Sequence, residues 1–146
     1  MKNMITKAAT LVAACLAIVA LEKPASAANS LMHFDVPFSF VAGEKTMPAG
    51  TYWVRVDGDF HLLEVAPVKG TEKFRVRLKD SSATRSVTDL NKGVLTFRRY
   101  GSTFVLKSVF APGAAERRDV PPSKVEAELA DRTAPGAVME TTVTLQ

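Results

Sequence analysis

The sequence predicts an all-β fold, mainly antiparallel: a small sandwich or barrel of about 6–8 strands with one short C-terminal helix. Three observations predict it. Apolar and polar residues alternate with period two in several short runs. Turn-forming residues punctuate those runs every 8–12 residues or so. A single helix-start signature stands near the end, at Ser123-Lys124-Val125-Glu126.

Residues 1–27 have the layout of a secretory signal peptide, with Lys2 and Lys7, an apolar run from Ala8 to Ala20, then Pro24 and the small triplet Ala25-Ser26-Ala27. The run is shorter than the roughly 20 residues of a membrane-spanning helix. Cys15, after Val12-Ala13-Ala14, resembles a bacterial lipidation signal, yet the apolar run continues past it to Ala20. The expectation is cleavage after Ala27 and an exported chain, periplasmic or extracellular. Cleavage there leaves 119 of the 146 residues, enough for one domain with an ordinary core. That domain is expected over residues 28–130, with 131–146 as a tail that is either a last strand or disordered.

Met32, Phe34, Val36, Phe38 and Phe40 share one face of a first strand, and Pro37 places it at an edge or at a bulge. Met47-Pro48-Ala49-Gly50 reads as a corner, after which Tyr52, Val54 and Val56 face inward. Asp57-Gly58 predicts a tight type I′ hairpin, with Phe60 to Ala66 as the returning strand. Phe74, Val76 and Leu78 then alternate with Lys73, Arg75, Arg77 and Lys79. Residues 80–92 are polar and predict a loop, with a short strand around Arg85 to Thr88. Val94 to Arg99 and Phe104 to Phe110 form a second hairpin about Gly101-Ser102, which suits a II′ turn. Ser123 and Glu126 make a capping box that starts a helix over Lys124 to Ala130.

These runs include Val36-Pro37-Phe38-Ser39-Phe40, Pro48-Ala49-Gly50-Thr51-Tyr52, Phe97-Arg98-Arg99-Tyr100-Gly101 and Val120-Pro121-Pro122-Ser123-Lys124-Val125-Glu126. In that order and spacing they resemble a family of small exported bacterial β-rich proteins of unknown function, over roughly residues 34–130. The chain departs from that pattern with Arg98 in place of His, Ser102 in place of Asp and Val120 in place of Leu. The resemblance implies export and a β-rich fold, and it brings no activity.

Composition narrows the function classes. Three of the 19 Lys and Arg and one of the 15 acids leave with the leader, so the net charge falls from +4 to +2. So small a charge does not point to nucleic acid. The one Cys leaves with the leader too, which excludes disulfides and thiol catalysis in the remainder. No serine sits in a Gly-x-Ser-x-Gly elbow.

His33 and Asp35, two apart on one strand, share a face and with His61 form the nearest approach to a metal or acid–base set. The simpler reading is a solvated face, because the third ligand is not fixed. Asp57, Asp59 and Glu64 fall short of the roughly six oxygens that calcium needs. No catalytic residue, metal ligand or cofactor is therefore assigned.

The candidate binding surface comprises Trp53 and Arg55, which point away from Tyr52 and Val54, and the row Lys73, Arg75, Arg77, Lys79. Four cations on alternate positions would line roughly 20 Å of one strand face. They suit an envelope polyanion or glycan, or they keep an edge strand from pairing with another sheet. The expected function is a non-enzymatic binding or structural module at the cell envelope. A small metal-dependent or hydrolytic enzyme, or a subunit of an envelope assembly with a protein partner, is the alternative.

Overall fold

The computed structural model describes residues 29–59, 61–85 and 90–145. The leader expected at 1–27, Cys15, Phe60 and most of the strand expected at 85–88 lie outside the described residues.

Eleven strands and one helix are present among the described residues. One sheet holds β1 (Asn29–Val36), β4 (Gly50–Asp57), β5 (Leu62–Pro67) and β6 (Phe74–Arg77), in the order β1-β4-β5-β6 and antiparallel throughout. The second contains β7 (Lys79–Thr84), β8 (Val94–Tyr100), β9 (Thr103–Phe110), β10 (Glu116–Asp119) and β11 (Met139–Thr144), in the order β11-β8-β9-β10-β7. Two short strands, β2 (Phe40–Ala42) and β3 (Lys45–Met47), join it where β2 runs parallel to the start of β9. The fold is thus a sandwich, and the strand count exceeds expectation because short segments at the sheet margins pair as well.

The alternation read from the sequence builds the core. Met32, Phe34 and Val36 of β1, Tyr52 and Val54 of β4, and Leu63 and Val65 of β5 are all buried. They meet Leu95, Phe97, Leu106 and Val109 of the opposite sheet. Phe40 bridges the layers, edge-on to both Tyr52 and Phe97 at 5.2 Å between ring centroids.

Pro37, which has no N–H to give a ladder, ends β1 at the sheet edge, and the chain passes through Phe38 to the other sheet. The first hairpin is wider than expected. Asp57 pairs with Leu62 across residues 58–61, the positive φ falls on His61 (52°), and the Asp57 carboxylate accepts from the Asp59 N–H at 3.1 Å. A two-residue turn at Asp57-Gly58 would set His61 opposite Val54 in the core. The observed register sets Val65 there instead. The second hairpin has the expected two-residue loop, with Tyr100 opposite Thr103 and Gly101 at φ 60°.

Residues 80–84, expected as part of a loop, join Lys79 to form β7. It is an edge strand exposed along most of its length, so no apolar alternation marked it. Helix α1 (Lys124–Arg132) starts at Ser123, whose Oγ accepts from the Glu126 N–H at 3.1 Å, and runs past the expected boundary at residue 130. The tail returns as β11, the edge strand beside β8. No helix among the described residues is long and apolar enough to cross a membrane.

Candidate functional site

The outer face of the four-stranded sheet presents Leu31, His33, Trp53, Arg55, Leu62, Arg75 and Arg77 to solvent. Trp53 is 39 % exposed and Leu31 61 %. Strand register arranges them in rows across the sheet. Leu31, Arg55, Glu64 and Arg75 form one row, and His33, Trp53 and Ala66 the next. A cleft of about 560 Å³ opens here, lined by Leu31, Trp53, Arg55, Glu64, Ala66, Pro67 and Lys73. Such a volume falls within the roughly 300–1,000 Å³ of small-molecule sites.

The expected cationic row is divided. Lys73, Arg75 and Arg77 lie at or on β6, on this face, but buried Leu78 carries the chain across to the other sheet, where Lys79 begins β7. The row therefore holds three cations on this face, and Lys79 lines a separate cavity. Within the cleft, Glu64 lies opposite Arg55 in register but its carboxylate accepts from Nε of Arg75. Arg55, Lys73 and Arg77 make no ion pair among the described residues. Sequence reading found Trp53, Arg55 and Lys73. It missed Leu31 and Ala66, whose only signal is that they alternate with core residues, and Pro67, which ends β5 opposite Tyr52.

The other polar candidates are held elsewhere. The His33 ring lies against Trp53 with 3.1 Å between centroids, and Asp35 accepts from the Thr51 hydroxyl at 2.5 Å. His61, on the hairpin loop, lies 3.6 Å from Asp80 of the other sheet. Among the described residues no three His, Cys, Asp or Glu side chains are grouped to hold a metal.

On the outer face of the seven-stranded sheet most charges are paired, Lys79 excepted among the described residues. Glu126 of α1 is buried, and its Oε1 accepts from the Tyr100 hydroxyl at 2.9 Å and from Arg98 Nη1 at 3.1 Å. Its carboxylate thus ties the helix to β8. Val125 and Leu129 complete the seat on Val41, Tyr100 and Val105. Burial, then the hydrogen bond to Glu126, pushes the Tyr100 hydroxyl up from its ordinary value. Burial pulls the Arg98 guanidinium down, but its hydrogen bonds to Tyr100 and Glu126 outweigh this and the net shift is upward.

Beside this tie, Lys107 is the extra residue of a bulge in β9 and donates to Glu140 of β11. That hydrogen bond holds the Glu140 carboxyl below its ordinary value against the opposing effect of burial. Arg117 pairs with Asp119 at 2.8 Å, and Arg118 with Asp80. A cavity of about 190 Å³ under the helix is lined by Lys79, Asp80, Arg98, Lys107, Asp119 and Glu126 among others. Every charged group in that lining but Lys79 already meets an opposed charge, which makes the cluster chiefly a structural network. Of the two faces, the four-stranded one has unpaired cations beside an exposed aromatic ring. No family profile, no characterised protein and no solved structure matches this chain.

Proposed function

We propose that this chain is an exported, non-enzymatic β-domain that binds an anionic partner at the cell envelope through the open face of its four-stranded sheet. The observation that carries the reading is the convergence of Trp53, Arg55 and Lys73 on one cleft, with both cations unpaired among the described residues. Edge protection accounts for Lys73, Arg75 and Arg77, which lie at or on edge strand β6. It does not account for Trp53 and Arg55. They stand on β4, an interior strand that has neighbours on both sides. A guanidinium left in water on an interior strand adds little to stability, and with the part-exposed ring of Trp53 beside it suits a ligand that stacks and carries negative charge.

The test is binding of residues 28–146 to a panel of envelope polyanions and neutral glycans at low and high salt. Binding that weakens with salt and falls at least tenfold in Arg55→Ala/Lys73→Ala, with an unchanged circular dichroism spectrum, is the expected result. Silence across the panel, or binding indifferent to salt and to both substitutions, refutes the reading.

A further inference from the structure

The open face carries a second cleft next to the first. It encloses about 450 Å³ and is lined by His33, Pro48, Gly50, Thr51, Val68 and Lys69 among others, and Pro67 lines both clefts. Trp53 stands at the junction. Its ring borders the first cleft and packs against His33, which borders the second. We propose that the two clefts are halves of one groove and that the groove holds a linear acidic polysaccharide, with a sugar ring on Trp53 and carboxylates on either side of it. This rests on the binding function proposed above and names the ligand of that same face.

Charge selects the acid. Arg55 and Lys73 in the first cleft and Lys69 in the second make no ion pair among the described residues. The one acid in either lining, Glu64, is already taken by Arg75. Spacing selects a chain. Arg55 on β4 and Lys73, just before β6, are separated by β5 and offset by two residues along it, so they stand roughly 12 Å apart at 4.7–4.9 Å per strand and about 3.3 Å per residue, and Lys69 lies on the loop between β5 and β6. Cations dispersed in this way do not converge on one phosphate; they match single charges spaced along a polymer.

Surface selects the sugar. Leu31, Trp53, Ala66 and Pro67 in one cleft, and Pro48 and Val68 in the other, give apolar ground between the cations. Ring faces can lie on it, and a guanidinium can meet a planar carboxylate side by side. The second cleft is also open at Gly50, where no heavy atom lies within 4 Å of the place a Cβ would take.

Trp53 is the only tryptophan in the sequence, so its emission reports directly on the junction. The full chain, as purified from the cells that produce it, is titrated with galacturonate oligomers of increasing length. The expected result is a change in Trp53 emission and an affinity that climbs with length and then levels off. Lys69→Ala lowers the affinity of the long oligomers about tenfold and leaves the shortest unchanged. Methyl-esterified oligomers of the same length bind at least tenfold more weakly.

Affinity independent of length, or a Lys69→Ala effect equal on short and long oligomers, overturns the two-cleft groove and leaves single-cleft binding standing. Stronger binding to polyphosphate or to phosphatidylglycerol vesicles than to galacturonates overturns the carbohydrate assignment. Failure of all these anions to bind or to alter Trp53 emission overturns the groove together with the binding function on which it rests.

Discussion

The two outer faces of the sandwich are built from the same kinds of residue and use them in opposite ways. On the seven-stranded sheet Arg98, Lys107 and Arg117 each meet a carboxylate, Lys79 does not among the described residues, and the helix lies over part of the face. On the four-stranded sheet Arg75 is paired, while Arg55, Lys73 and Arg77 face water and make no ion pair among the described residues. Charges near a helix or a neighbouring strand are partly desolvated and need partners. Charges on a bare sheet need none; edge protection explains Lys73 and Arg77 at β6, and Arg55 on interior β4 is left without a folding role. A row of cations in a sequence therefore says little until their partners are known.

The largest effect expected from this comparison is at Glu126. Glu126→Ala takes the shared acceptor from the buried Tyr100 hydroxyl and from Arg98, which costs about 1–3 kcal/mol. Denaturant midpoints measure it, and a loss below about 0.5 kcal/mol would break the distinction between the faces. Arg55→Ala is expected to move the same midpoint by no more than about 0.5 kcal/mol, as for a surface residue with no partner. A loss equal to that of Glu126→Ala would give Arg55 a structural role and remove it from the binding surface.

The smallest effect is a pH dependence. The Glu140 carboxyl is held below its ordinary 4.5 chiefly by the hydrogen bond from Lys107. The folded state therefore binds this proton less well than the unfolded state. The pair's contribution is present above 4.5 and is lost as pH falls through the lower folded-state value. Half of the Glu140 side chain is exposed, so the effect is modest. Stability measured from neutral pH into acid is expected to fall slightly less steeply in Glu140→Gln than in the parent chain, and a steeper fall would contradict the assignment.

Much of the sandwich was legible because burial on one face writes period two into the chain. Met32, Phe34 and Val36, or Tyr52, Val54 and Val56, could face only one way. Edge strand β7 and its short neighbour β10 were not legible, since neither carries an alternating apolar side. Nor was the division of the cationic row. Lys79 continues the alternation of Arg75 and Arg77, and nothing in that pattern tells that the chain changes sheets at Leu78.

The candidate site was half legible for a similar reason. Outward positions on one strand follow from inward ones, so Trp53 and Arg55 could be read as a pair. Their neighbours Leu31 and Ala66 are set by register between strands, which is non-local. The capping box at Ser123 and Glu126 was read correctly for its backbone half. Its carboxylate is spent 28 residues away on Arg98.

The closure of β1 and β11 over Gly93 has a consequence for how the fold assembles. Leu145 donates its N–H to the Gly93 carbonyl at 2.8 Å. A Cβ on Gly93 would stand 2.8 Å from Met32 Sδ and 3.4 Å from Leu145 Cβ, so the first and last strands close together over one glycine. Contacts so distant in sequence form late and slowly, because the whole intervening chain must be looped first. The side of the sandwich sealed by β11 therefore stays open to water until that strand docks on β8.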